Sequence, residues 1–179
     1  MLIGDAVRLR AIEKEDLPLF VNWLNDPDVY RYLSLYYPLS NVQEEKWFED
    51  INSRSIAEQP LMIETWDDGL WKSLGNISFI NVDQQSRNAE LGIFIGEKDF
   101  WGKGIGTKAI ALMLDYGFNT LNLHRIYLRV FEPNQRGIHC YEKLGFRHEG
   151  SMREAYFLNG EYVNVLYMGI LQQEWKGKN

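Results

Sequence analysis

Trp101-Gly102-Lys103-Gly104-Ile105-Gly106-Thr107 is the segment whose residue types and spacing point most directly to chemistry. Three alternate glycines remove Cβ atoms where the backbone turns sharply, so a ligand can approach the main chain closely. The segment lies between a strand-like run and a helix-like run. Successive N–H groups at such a junction have no intrahelical acceptor and point toward one spot. With the helix dipole they make an anion nest, and a pyrophosphate is its natural occupant. Two phosphate-binding patterns are excluded. The P-loop spacing fails because Trp101 stands five residues past Gly96, where a glycine is required. The GxGxxG spacing fails because Thr107 occupies the place of its third glycine. The alternative is a tight turn that binds nothing. Three glycines at a helix mouth cost conformational entropy, which favours a use for them.

No other cluster competes for that role. Cys140 is the single cysteine and the three histidines are scattered, so there is neither an intramolecular disulfide nor a metal framework. Cys140 has no assembled His/Asp pattern around it and reads as a helix packing residue. The chain carries 19 basic and 25 acidic residues, a net charge of −6, which counts against direct nucleic-acid binding. An acidic surface suits a cationic substrate such as an amine, though net charge says little about a site. No apolar run approaches the ~18 residues of a membrane span. The start of the chain, MLIGDAVRLRAIEKED, has no secretory pattern, so a cytoplasmic protein is expected.

The elements that must position the loop follow from periodicity. Val7 to Ile12 alternates as a strand, and Glu13 to Leu24 has helical spacing. Asp28 to Leu33 adds a helical turn. Ser40, with Gln43 and Glu44 just after it, resembles a helix start; that helix is expected to bury Val42, Trp47, Ile51 and the stem of Lys46. Leu61 to Trp66 and Trp71 to Val82 form a hairpin around Asp67-Asp68-Gly69. Glu90 to Gly96 is a short central strand. Gly104 to Leu121 is helical, with Ile105, Ala109, Met113, Tyr116 and Leu121 on its buried face. Arg125 to Glu132 alternates again, Ile126, Leu128 and Val130 facing one way. Arg136 to Leu144 is a helix that stops at Gly145, and two strands then flank the Asn159-Gly160 turn. With no linker or repeat, residues 1–179 read as one α+β domain around a mixed sheet.

Three blocks taken together resemble the GNAT superfamily of N-acetyltransferases. They are ELGIFIGEKDFWGKGIGT (Glu90 to Thr107), Asp115-Tyr116-Gly117-Phe118, and NQRGIHCYEKLGF (Asn134 to Phe146). The similarity covers about Val7 to Trp175 and is nearest to the ribosomal-protein and spermidine N-acetyltransferase branches. It implies a mostly antiparallel central sheet flanked by helices, with two parallel central strands that splay apart. Gly104 and Gly106 match the family glycines that hold the pyrophosphate of acetyl-CoA, while Trp101 replaces the family's Gln/Arg.

The resemblance also implies roles. The coenzyme would lie on Trp101, Gly102, Lys103, Gly104, Ile105, Gly106 and Thr107, and its pantetheine arm along the strand Leu91, Gly92, Ile93, Phe94 and Ile95. Asn134 would bond that arm, with Ile138 and Tyr141 alongside. Tyr141 is the candidate acid for the leaving thiolate and Glu90 the candidate base for the amine. Their competing readings are core packing for Tyr141, pairing of Glu90 with Arg87, and a simple N-cap for Asn134. The expected reaction is transfer of an acetyl group from acetyl-CoA to a primary amine, without metal. The acceptor is a small amine or a protein N-terminus, and a homodimer is an assembly to consider. The tyrosine-rich, acid-poor segment Tyr30 to Pro38 would line an aromatic slot or pack between helices. A non-catalytic acyl-CoA-binding module on the same fold is the alternative function.

Overall fold

The computed structural model describes residues 1–35 and 37–177. Eight strands form one sheet in the order β1-β2-β3-β4-β5-β6-β8-β7. They are β1 (Leu2–Ile3), β2 (Val7–Ala11), β3 (Leu61–Asp67), β4 (Leu70–Asp83), β5 (Asn88–Ile95), β6 (Arg125–Phe131), β7 (Arg147–Leu158) and β8 (Glu161–Leu171). Every neighbouring pair is antiparallel except β5 and β6. The two tight hairpins turn on left-handed residues, Asp68 with Gly69 and Asn159 with Gly160, as two-residue hairpin loops require.

Helices cover both faces. Helix α1 (Leu17–Leu24), the short α2 (Pro27–Tyr30) and α3 (Asn41–Asn52) lie on one side. Their cluster joins Phe20, Trp23 and Val29 to Met62, with Phe94 and Trp47 packed against it. Helix α4 (Ile105–Asp115) covers the other face, where Ala109, Ile110, Met113 and Leu114 pack on Ile77, Phe79, Leu91 and Ile126. A π-helical turn, Tyr116–Thr120, ends it earlier than the Leu121 expected from periodicity. Helix α5 (Gln135–Lys143) adds Ile138 to the same cluster. Gly145 follows it with φ +93°, the left-handed stop anticipated there.

Strand β5 therefore has two working faces. Leu91, Ile93 and Ile95 turn toward α4, whereas Phe94 turns toward α1 and α3. Strict alternation puts Glu90 and Gly92 on the Phe94 side.

A buried ionic network anchors the α1 side at the sheet's far edge. The Glu64 carboxylate accepts from Arg8 and, at 2.9 Å, from Arg10 Nε. Arg10 also donates to both oxygens of Asp16, at 2.7 and 2.8 Å. Breaking such a buried network typically costs about 3–5 kcal/mol, so it fixes how β2 and β3 meet the start of α1.

Candidate active site

The glycine segment forms the mouth of α4. Gly102 and Gly104 adopt φ +75° and +78°, and Gly104 is the helix N-cap. A left-handed backbone at both positions favours glycine. Gly106 differs: its φ is ordinary, and a Cβ there would meet nothing within 4 Å. The fold itself does not require glycine at that position. What its hydrogen leaves is open space against the first-turn amides of α4, the room a diphosphate needs.

Aromatic rings brace the segment. Trp101 Nε1 donates to the Ile95 carbonyl at 2.8 Å, tying the loop to the end of β5. The Arg136 guanidinium lies 4.0 Å over the Trp101 ring, and Lys103 Nζ lies 4.9 Å over Phe100. Two cations thus flank the anion nest. Thr107 Oγ1 and Cys140 Sγ meet at 3.2 Å, linking α4 to α5. Burial pushes the Cys140 thiol above its ordinary pKa, which agrees with a packing residue rather than a nucleophile.

Beside the loop, the parallel ladder opens. Strands β5 and β6 pair only at Asn88–Arg125, Ala89–Ile126 and Glu90–Tyr127. Both strands continue, β5 to Ile95 and β6 to Phe131, without pairing again. The β6-facing edge of Leu91, Gly92, Ile93, Phe94 and Ile95 is therefore free of a strand partner, and an amide-bearing chain entering the gap would find backbone groups to bond.

Tyr141 and Asn134 stand on the far side of the gap, on α5 and its cap. Tyr141 packs edge-on against Phe146, ring centroids 5.9 Å apart, and burial holds its phenol well above the usual range. Its hydroxyl makes no hydrogen bond among the described residues. Ile138 is buried one turn earlier. Asn134 Oδ1 accepts from Gly137 N at 3.1 Å, so the N-cap reading of this asparagine is realised, leaving its amide NH₂ for another partner.

Glu90 is buried at the last paired residue before the gap and accepts from Arg129 Nε at 2.7 Å. The competing pairing with Arg87 is not formed; that guanidinium bonds the Asn122 carbonyl and side chain, both at 2.7 Å. Nearby, Tyr127 has its pKa raised by burial and by the Glu90 charge.

On the same face as Glu90, α3 packs differently from its expected phase. Val42 is 73% exposed and Lys46 is exposed as well. The inward residues are Glu44, Trp47, Phe48 and Ile51, a regular helical stripe with a carboxylate in it. Glu44 is only 4% exposed, and burial alone raises its pKa. It borders a cavity of about 300 Å³ roofed by α1 and α3 and floored by Asn76 of β4 and Phe94 of β5. The tyrosine-rich segment contributes Leu35 and Tyr37 to its rim, while Tyr32 donates to the Pro133 carbonyl at 3.3 Å. Tyr36 of that segment lies outside the described residues.

Sequence reasoning missed Glu44, Arg129 and Arg136. Of these, only Glu44 had a readable signal, its spacing of three, four and seven residues to Trp47, Phe48 and Ile51. Among the described residues no His, Cys, Asp and Glu group could hold a metal ion. No described helix is long and apolar enough to cross a membrane.

The glycine-capped helix beside an opened parallel pair has counterparts in known proteins. A model of the acetyltransferase (GNAT) domain matches residues 6–147. The chain belongs to the GNAT acetyltransferase family. It is 34% identical to the spermidine N(1)-acetyltransferase of Escherichia coli over 95% of this chain and 88% of that one. It is 36% identical to the putative ribosomal N-acetyltransferase YdaF of Bacillus subtilis, over 58% of this chain and 56% of that one. The crystal structure of spermidine N-acetyltransferase from Vibrio cholerae in complex with CoA and spermine superposes with a TM-score of 0.86. That match has 32% identity and covers 96% of this chain and 98% of the other. As a GNAT enzyme the protein is an acyltransferase that moves the acetyl group of acetyl-CoA to an amine.

Proposed function

We propose that the protein acetylates a small-molecule primary amine by direct attack in a ternary complex. The pyrophosphate would lie on the amides of Gly102 to Thr107, with Lys103 and Arg136 as flanking cations. One observation carries the reading: β5 edges the gap beside the glycine-capped helix α4 and, through Phe94, also floors the cavity on its other face. A thioester delivered through the gap meets an acceptor held beyond it, and holding both together removes much of the entropic barrier. A cavity of about 300 Å³ accommodates a small amine better than a protein N-terminus with its following chain. The spermidine activity named for the relatives favours a small amine too.

In this reading Glu90, held by Arg129 Nε at 2.7 Å, takes the proton the amine must lose, directly or through a water. The amine nitrogen then bonds the thioester carbonyl carbon and the C–S bond breaks. Tyr141 donates its proton to the departing sulfur and recovers one from solvent. Its buried, elevated phenol stays protonated throughout the neutral range. Asn134 and Ile138 line the path of the pantetheine arm. A relative from Vibrio cholerae is described as dodecameric, and we extend to this chain only self-association, with a homodimer as its smallest form. Thiol release measured across a panel of small amines and an N-terminal peptide tests the reading; turnover confined to the peptide would overturn it.

A further inference from the structure

Glu44 poses a question that coenzyme binding and acetyl transfer leave unanswered. The residue is only 4% exposed, with its carboxylate oxygens not fully closed off, and it forms no hydrogen bond or ion pair among the described residues. Burying a charge without a partner is costly, so such groups are rare unless something else supplies the partner. The groups facing it offer no charge. Leu24 comes from α1, Asn76 from β4, Phe94 from β5, and Trp47 from its own helix; among the described residues lining the cavity, Tyr37 at the rim is the only other titratable group. The cavity therefore has one negative charge set in aromatic and aliphatic walls.

We propose that Glu44 is the counter-ion of the acceptor's ammonium, and that the acceptor is an amine bearing a single cation on a compact apolar body. This rests on the acetyltransferase reading above and specifies its substrate class: Glu44 receives the amine as an ammonium, which leaves this ion pair and gives its proton to Glu90 before the nitrogen attacks. One carboxylate balances one ammonium, and a nearby ring face adds cation–π attraction. A polyamine would leave its remaining ammonium groups against Leu24, Leu35 and Phe94, where desolvation opposes binding. Phe94 lies two residues, about 7 Å, along β5 from Gly92. Both face the cavity side of the strand that edges the gap, so an amine seated beside Phe94 is close to where the thioester emerges.

The test is calorimetric titration of 2-phenylethylamine and of spermidine into the wild-type protein and Glu44→Gln, with and without CoA. In the wild type, 2-phenylethylamine is expected to bind at least as tightly as spermidine at physiological salt. Glu44→Gln should weaken 2-phenylethylamine by about tenfold or more, the usual scale of a charge-assisted contact, while CoA affinity stays constant. Thermal stability at neutral pH should be unchanged or higher, because glutamine removes a buried unpaired charge. A purely structural Glu44 would instead lose stability on substitution. Wild-type affinity for 2-phenylethylamine should fall as pH drops through the raised range of Glu44, and Glu44→Gln should lack that dependence. Unchanged 2-phenylethylamine binding in Glu44→Gln overturns the proposal, as does a clear preference for spermidine. Loss of CoA binding in the wild type would instead strike the acetyltransferase reading, and the amine titration without CoA separates the two.

Discussion

The anion nest beside α4 and the cavity beneath α3 lie on opposite faces of β5 and are built from different materials. The nest is main chain: two left-handed glycines, an N-cap, and the first-turn amides of one continuous segment. The cavity is side chain: α1, α3, β4, β5 and a connecting segment each supply a wall, and one carboxylate supplies the charge. A diphosphate is the same in every acyl-CoA, and fixed amides recognise it at little conformational cost. Acceptor amines differ, and a side-chain cavity can change its lining without disturbing the sheet. Strand β5 borders both regions, its unpaired edge at the gap and Phe94 in the cavity floor.

That contrast predicts which substitutions damage which substrate. The largest effect belongs to Tyr141→Phe, which touches the chemistry and neither binding region. It keeps the ring against Phe146 but removes the proton, so kcat should fall by at least about tenfold, within reach of the ~10²–10⁴ typical of general acid catalysis. CoA affinity should hold, the signature of an interaction made in the transition state. In the wild type, the alkaline limb of the rate profile assigned to Tyr141 should lie above the ordinary phenol range, because burial keeps the proton on. Wild-type turnover in Tyr141→Phe, measured where chemistry limits the rate, would return this residue to core packing.

Gly106→Val comes next. Crowding of about 1.4–2.8 kcal/mol, within the usual range for overpacking, corresponds to roughly 10–100-fold weaker CoA binding. The fold should persist, since a Cβ there meets no neighbour. Gly104→Val is a less clean probe, because its left-handed φ adds backbone strain to any steric effect. Arg136→Ala should cost only about two- to fivefold in CoA affinity, the scale of an exposed charge contact. The loss should shrink as salt is raised, and no salt dependence would remove Arg136 from the coenzyme site. Cys140→Ser should change turnover by less than about twofold, since its thiol only bridges to Thr107; a large drop would reopen a chemical role.

The same contrast explains what the sequence made legible. The nest is local, so its glycine spacing could be read from residues 101–107 alone. Hairpins, the central strands and the Gly145 stop are also local features, written in alternation and turn residues. The gap between β5 and β6 is not local, and it was anticipated through family resemblance rather than from spacing. Helix α3 shows why the cavity stayed hidden. The expected burial of Val42 and the Lys46 stem left out Glu44, which lines the cavity together with Phe20 and Phe94 from other elements. For Glu90 the competing reading looks to Arg87, close in sequence, or to a solvent cation. The actual partner, Arg129, is a neighbour only because β5 and β6 start side by side.

The most direct test of a main-chain coenzyme cradle is titration of CoA into the wild-type protein and Gly106→Val in the presence of EDTA. The account predicts metal-independent binding of one CoA per chain and a loss of at least about tenfold in Gly106→Val, with an unchanged melting profile. A requirement for magnesium, or wild-type affinity in a folded Gly106→Val protein, would contradict it.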